Sequence, residues 1–472
     1  MPLKRLGSLW ALLPVSVALC AALLFDQNTL WFAFQAPNPT RSPESIANHE
    51  PDVTAVLLNW TRFANVIQIV TELCREPLDR VIKEVVVWNN AGNSRPLAYD
   101  DFSNCNCSHR LRIHNSPENL YFQARFMACS NASTPYCFIQ DDDYLIQPEI
   151  IRSLRARIDT HDIFVIPPNE VLSSHLLSIN SPSTNITFAF SWLGYGALIL
   201  RATPISEEET KMADNYYSIL RNRFPEIWTS DPTALFDGGA FTVGEEGVTR
   251  NRRHIAAAAN YLDVIAANQS PGNDEWPYVF LASSPPEPRI DRSPCVRRSC
   301  VIESTIQSLP DLFTADTHKT AGEIFAREEQ LSRMLTEQFM ANYVNFPLSR
   351  AVDADRTSFF RSVWNAAKGE TLLLDVFDRV QEMNWTHVEW LWLVDSSTAE
   401  ALTSSTFSYS AISCAPASPE DGVSSSAVFE CDISMEGINI DRARYFQLQL
   451  RKSKLSFSPW LIYETWLRGR ET

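Results

Sequence analysis

Along the first half of the chain, short apolar runs alternate with stretches whose apolar positions recur every three or four residues. Val53 to Leu58 predicts a buried strand, closed by Asn59-Trp60-Thr61-Arg62, and Val66, Ile69, Val70 and Leu73 then follow helical spacing. A second strand, Glu84 to Trp88, is stopped by Asn89-Asn90-Ala91-Gly92. Leu111 to Ile113 and Tyr136 to Ile139 predict two more, the latter running directly into Asp141-Asp142-Asp143. Ile163 to Ile166 and Gly196 to Leu200 are further strand candidates, and residues 207–224 have a helical pattern. Strands alternating with helices build βαβ units, so the expected fold is α/β with a mostly parallel sheet. From about residue 270 the pattern changes to Pro-rich connections, then a charged helical stretch over roughly 319–342. The last hundred residues alternate apolar and polar positions, as in Tyr445 to Leu450, which is the pattern of an antiparallel β-sandwich.

The chain has 472 residues, more than one ordinary hydrophobic core organises. Lys4 and Arg5 precede an uncharged apolar run over 6–25, closed by Asp26. Roughly 20 apolar residues suffice to cross a bilayer as a helix. The expectation is therefore a cytoplasmic tail (1–5), a signal anchor (6–25) and a Pro- and Ser-rich stem (26–50). A cleaved signal peptide is the competing reading, and either one delivers the bulk of the chain to a lumen. Beyond the stem, the pattern divides into an α/β domain (51–270), a Pro-rich and helical connector (271–345) and a β-sandwich-like accessory domain (346–472). The location implied is a Golgi or endoplasmic reticulum membrane, single-pass and type II. Nine of the ten cysteines follow the apolar run, as suits an oxidising lumen. Cys295 with Cys300 and Cys414 with Cys431 read as local disulfides, and Cys74, Cys105, Cys107, Cys129 and Cys137 leave one thiol over. Glycosylation sequons occur at Asn106, Asn131, Asn185, Asn268 and Asn384, with one at Asn59 that the neighbouring apolar run would enclose.

A net charge of −16 argues against nucleic acid as a partner, since phosphate backbones demand a basic surface. The sharpest chemical feature is Asp141-Asp142-Asp143. Three adjacent carboxylates repel one another unless they are solvated or neutralised, and ligands of open α/β sheets bind at the carboxyl ends of strands. Strand alternation would send Asp141 and Asp143 to one side and Asp142 to the other. A divalent cation with hard oxygen ligands, Mn2+ or Mg2+, would take one or two of these carboxylates together with substrate phosphates. A solvated acidic turn is the plain alternative.

Val53 to about Leu220 resembles the exostosin-like glycosyltransferases, glycosyltransferase family 64, with their GT-A nucleotide-diphospho-sugar fold. The resemblance rests on Val53 to Arg62, Lys83 to Gly92 and Phe138 to Asp143, three blocks in family order. It implies transfer of a sugar, a hexose or N-acetylhexosamine, from a UDP-sugar to a glycan acceptor, with retention of anomeric configuration. On the matching positions it implies that Arg62, Asn89, Asn90, Asn119, Arg125, Asp141 and Asp142 contact the nucleotide-sugar. It likewise makes Asp143 the principal metal ligand, with Asp141 beside it. Asp214 is the best match to the family's acidic residue near the reacting sugar and is the catalytic candidate, although the usual acidic pair is reduced here to Ala213-Asp214. The stretch Glu245 to His254 gathers Arg250, Arg252, Arg253 and His254, and reads either as a loop whose Arg253 closes over a diphosphate or as a solvated helix start. A carbohydrate-binding protein without catalysis is the alternative from another class, given the aromatics Trp385, Trp390, Trp392, Trp460 and Trp466 of the β-rich half.

Overall fold

The computed structural model describes residues 50–107, 109–158, 161–173, 176–180, 185–189, 192–201, 214, 217, 225–235, 245–268, 290–306, 308, 337–362, 369–377, 387–395, 406–407, 413–417, 426–434, 445–449 and 459–470. The expected tail, apolar run and stem up to residue 49 therefore lie outside the described residues. Most of the expected helix over 207–224 and of the charged stretch over 319–342 does too. Among the described residues no helix is long and apolar enough to cross a membrane.

The α/β half begins with β1 (Val53–Asn59), α1 (Phe63–Leu73), β2 (Ile82–Asn89), β3 (Leu111–Asn115), α2 (Gln123–Ser130) and β4 (Tyr136–Gln140). It continues through β5 (Tyr144–Leu145), α3 (Pro148–Arg157), β6 (Ile163–Ile166), α4 (Pro168–Ser173), β7 (Leu176–Asn180), β8 (Asn185–Ala189) and β9 (Ala197–Leu200). It ends with β10 (Glu226–Thr229), β11 (Thr233–Ala234) and α5 (Glu245–Asn268). Seven strands form one sheet in the order β10-β6-β9-β4-β1-β2-β3. β1, β2, β3 and β4 run parallel, β6 and β10 pair in parallel, and β9 is inserted antiparallel between β4 and β6. The expected mostly parallel sheet is therefore present.

Its strands are continuous apolar runs because helices cover them. On α1 the helical spacing buries Val66, Ile69, Val70 and Leu73. Ala124 and Ala128 of α2 pack on Val56, Val86 and Trp88. Each large side chain enclosed this way contributes roughly 1.5–3 kcal/mol. Disulfides join Cys74 to Cys107 and Cys129 to Cys137, leaving Cys105 as the buried free thiol.

The second half supplies β12 (Asp291–Pro294), β13 (Val301–Ser304), α6 (Glu337–Asn345), β14 (Phe360–Arg361), β15 (Thr371–Asp375) and β16 (His387–Asp395). After these come β17 (Thr406–Phe407), β18 (Ser413–Ala417), β19 (Ser426–Ser434), β20 (Tyr445–Gln449) and β21 (Leu461–Arg470). Two antiparallel sheets result, β12-β13-β15-β20-β17 and β14-β21-β16-β19-β18. One apolar cluster draws Ile302, Leu374 and Phe446 from the first sheet and Phe360, Trp390, Trp392 and Ile462 from the second, so the sheets pack face to face. The stretch expected as connector contributes β12 and β13, joined by the Cys295–Cys300 disulfide. Cys414 and Cys431 stand directly opposite each other in the β18–β19 ladder.

Residues from His49 onward form one compact unit. Arg157, at the end of α3, donates to Glu303 at 2.6 Å and to Asp375 at 3.0 Å, and lies 3.2 Å from Glu226. Burial would lower the guanidinium's pKa, but these three carboxylates raise it well above the usual value. Beside them the Ser293 hydroxyl donates to the Thr229 carbonyl, tying β12 to β10.

Candidate functional site

The order of the sheet decides where a ligand can enter. From β1 the chain proceeds outward through β2 and β3, and then crosses back to place β4 on the other side of β1. The crevice at the carboxyl ends of β1 and β4 is therefore the topological switch point, where open α/β sheets bind ligands. Asn59 to Arg62 leave β1 there, and Asp141 to Asp143 leave β4.

The strand ends at Gln140, one residue before the carboxylates, and its side-chain amide donates to the Tyr144 carbonyl at 2.5 Å across the resulting turn. Strand alternation consequently does not sort the three aspartates as expected. Arg62, the N-cap residue of α1, donates to Asp142 at 2.7 Å and lies 3.5 Å from Asp143. Asn65, in the first turn of α1, donates to the Asp142 carbonyl at 2.9 Å. Asp141 turns instead to Arg125, whose Nη2 donates to it at 2.5 Å. Room for Asp141 comes from Gly194: a Cβ there would lie 2.0 Å from Asp141 Oδ2, and the Gly194 carbonyl accepts from the Asp141 N–H at 2.8 Å.

Asp143 differs from its neighbours. Its backbone carbonyl accepts from Leu235 beyond β11 at 2.8 Å, but its Oδ1 is buried without a hydrogen-bond partner. Burial, and after it repulsion from Asp141, pushes this carboxyl up to about 6 despite Arg62. Burial also raises Asp142, against the pull of Arg62. A cation beside Asp143 would satisfy the orphaned oxygen and offset the repulsion. Among the described residues no three His, Cys, Asp or Glu side chains are gathered to hold a metal. An ion would therefore rest on Asp143 with water and ligand phosphates, a shell that suits Mg2+ or Mn2+. The expected second ligand, Asp141, has one oxygen committed to Arg125.

Arg125 is fully buried in α2, and its Nη1 donates to both oxygens of Asp214, at 2.9 and 3.1 Å. Asp214 also accepts from the Leu193 N–H at 3.2 Å and is itself buried. The expected catalytic carboxylate is thus a buried counter-charge that holds Arg125, which in turn holds Asp141. Asn89 is likewise enclosed. Its amide donates to Asn115 and to the Arg95 carbonyl, and its oxygen accepts from Asn59, each at 2.8 Å. Asn59, Asn89 and Asn115 are in register at the ends of β1, β2 and β3, so these amides close the ladder where backbone pairing stops.

Asn90 donates to the Tyr121 carbonyl at 3.2 Å and accepts from the Leu120 N–H at 3.2 Å, while Asn119 accepts from the Tyr121 N–H at 2.9 Å. The two asparagines thereby fix Tyr121, a bulky residue with a left-handed backbone (φ 50°) and a side chain 62% exposed. Beside it the exposed Phe122 carries Arg125 over its ring at 4.9 Å, and Trp60 is exposed at the end of β1. These aromatics were not legible as site residues, although Trp60 adjoins Arg62 in sequence. Arg253 lies in α5 with its side chain exposed, and the stretch from Glu245 is the start of that helix rather than a loop.

Parts of the chain are similar to solved structures. A mannosyltransferase from Pyrobaculum calidifontis, solved with GDP-Man and Mn2+, matches over 45% of this chain and 65% of its own, with 15% identity and a TM-score of 0.32. The chain thus spans just under two thirds of that protein. Mannosyl-3-phosphoglycerate synthase from Rubrobacter xylanophilus matches over 48% of this chain and 78% of its own, at 10% identity and a TM-score of 0.29. TarS 1–349 of S. aureus, in complex with UDP-GlcNAc, matches over 45% and 66%, at 10% identity and a TM-score of 0.30. No family model and no curated protein matches the sequence.

Proposed function

We propose that this chain is a metal-dependent glycosyltransferase with a GT-A-like catalytic half, transferring a sugar from a nucleotide-sugar to a glycan. The observation that carries the reading is the unpartnered, buried Oδ1 of Asp143 at the switch point of a parallel sheet, next in sequence to two arginine-paired aspartates. A charge-repelled carboxylate with an empty acceptor suits a divalent cation, and the crevice suits a nucleotide. When bound, Mn2+ or Mg2+ would neutralise the negative charge that develops on a departing diphosphate.

The protein's own groups divide the remaining work. Arg62 holds Asp142 and lies beside Asp143, so its guanidinium can also meet a phosphate oxygen. Arg125 fixes the rotamer of Asp141 from below, leaving that carboxylate's second oxygen for a sugar or ribose hydroxyl. Tyr121, Phe122 and Trp60 are exposed aromatics that supply apolar surface for a base or a sugar. UDP as the nucleotide, a hexose or N-acetylhexosamine as the sugar and retention of configuration follow from the family resemblance. So do the glycan acceptor and the type II setting in the Golgi or endoplasmic reticulum, for which the apolar run at 6–25 and the disulfides are the support.

The test is nucleotide binding. The full chain should bind UDP at least about tenfold more tightly with Mn2+ than with EDTA, a difference of about 1.4 kcal/mol. Asp143→Asn should abolish that difference while leaving the fold intact. Failure to bind any nucleoside diphosphate sinks the assignment, and a hydrolysis screen of nucleotide-sugars then identifies the donor.

A further inference from the structure

One pocket in the β-rich half shares no residue with the aspartate crevice. It is a cavity of about 450 Å³ where the Cys295–Cys300 hairpin, the turn after Val352 and strand β21 converge. That volume lies within the range of small-ligand sites. Its walls are tied together from three directions. Val296 donates its N–H to the Val352 carbonyl at 2.9 Å, Ala354 donates to the Glu464 carboxyl at 3.1 Å, and Arg298 donates to the Leu467 carbonyl at 3.3 Å. The disulfide adds a covalent closure. The cavity is therefore preformed.

Backbone strain concentrates there as well. Five non-glycine residues among those described have left-handed backbones, and two of them, Arg297 (φ 63°) and Ala354 (φ 62°), line this one cavity. Such conformations persist where the surroundings over-determine them, and they cluster at ligand sites.

The lining chemistry is selective. Arg297, Arg298 and Arg356 all line one cavity in a chain whose net charge is −16. Arg356 lies over the Trp466 indole at 4.9 Å, so one cation is held against an aromatic face. Glu464 is the single carboxyl on the lining, and burial followed by repulsion from Asp353 raises it to about 8. At neutral pH it is therefore largely a neutral donor and does not cancel the arginines. Behind the charged rim, Val352, Leu374 and Val376 supply an apolar wall. A bare inorganic anion has no use for that wall or for the indole, and an uncharged sugar has no use for three arginines.

We infer that this cavity is a second ligand site, independent of the transferase reading, which binds a sugar ring carrying one anionic group. The ring packs against the apolar wall, and the arginines, Arg356 among them on the Trp466 indole, take the carboxylate or phosphate oxygens, for which guanidinium forks are suited.

Calorimetric titration of the full chain with glucuronate, glucose 6-phosphate, glucose and inorganic phosphate tests this. At least one of the two anionic sugars should bind, quench tryptophan fluorescence, and exceed both glucose and inorganic phosphate by about tenfold or more. Which of the two binds identifies the anionic group. Arg356→Gln and Arg298→Gln should each weaken binding by about tenfold or more, with thermal unfolding used to confirm that both variants fold. Asp143→Asn should leave this binding unchanged, which separates it from the nucleotide site. The inference is overturned by any of three results: neither anionic sugar binds, glucose or inorganic phosphate binds equally well, or folded arginine variants bind as the parent does.

Discussion

Substitution of Arg125 and Asp214, singly and together, tests what the buried carboxylate does. The Arg125 side chain is fully buried, with Asp141 at 2.5 Å on one nitrogen and Asp214 at 2.9 and 3.1 Å on the other. Breaking a buried pair by removing one partner leaves an uncompensated charge and costs about 3–5 kcal/mol. Arg125→Met strands two carboxylates at once and should fall at the upper end of that range. Asp214→Asn keeps an oxygen for the Leu193 N–H but leaves Arg125 with Asp141 alone, so it should fall at the lower end. The double variant removes both buried charges, and Asp141 is partly exposed and can be solvated. Its cost should therefore be less than the sum by about 1–3 kcal/mol, the coupling expected of residues in direct contact. Urea unfolding of the four proteins measures the cycle, and UDP titration with Mn2+ follows the site. In Asp214→Asn, lost stability should accompany weakened UDP binding, because Asp141 loses its fixed orientation. An Asp214→Asn protein that unfolds like the parent yet transfers no sugar would refute this reasoning and return Asp214 to a direct role in the reaction.

Two further outcomes follow from the geometry. Gly194→Ala would put a methyl group 2.0 Å from Asp141 Oδ2 and 3.1 Å from its Cβ, so the aspartate must leave Arg125. UDP affinity should fall by about tenfold or more, and unchanged affinity would mean that Asp141 does not lie against this glycine. Glu464 has a folded-state pKa of about 8 against an ordinary value of 4.5, so between those limits the folded protein holds a proton that the unfolded chain has released. Its contribution to stability is therefore complete below pH 4.5 and is lost as pH rises through 8, at about 1.4 kcal/mol per unit at most. Glu464→Gln should flatten the fall in unfolding free energy between pH 5 and pH 8, and a variant with the parent's slope would count against a buried carboxyl.

The parallel strands were legible because a strand covered on both faces must be apolar throughout, and Val53 to Leu58, Glu84 to Trp88 and Tyr136 to Ile139 are nearly so. The helical spacing of Val66, Ile69, Val70 and Leu73 was legible for the complementary reason: one face of α1 is buried. What lay beyond reach depends on strand register. Asn59, Asn89 and Asn115 look like three ordinary turn residues until β1, β2 and β3 are aligned, and only then do their amides meet. Burial of Asp214 beneath Arg125 is also a product of packing, since the two are 89 positions apart. Short strands such as β12 and β13 carry too few residues for a period to show, so a Pro-rich stretch concealed a hairpin. The second cavity draws its lining from four distant segments, and no local pattern announces it.

The Arg157 cluster bears on how this chain can be handled and how it could have been assembled. β10 is the outermost strand of the seven-stranded sheet, and an uncovered edge strand invites pairing with another molecule. Here β12 is tied beside it through Ser293 and Thr229, and Arg157 reaches past Glu226 to Glu303 and Asp375. Tyr343 of α6 also completes the apolar cluster around Phe164 and Ile166. The β-rich half is therefore the edge guard of the α/β half. A fragment ending after α5 would expose a sticky strand and remove two of the three carboxylates around Arg157, and it should collect in inclusion bodies. By the same logic the α/β half could not have been inherited as a free-standing module without something else shielding that strand.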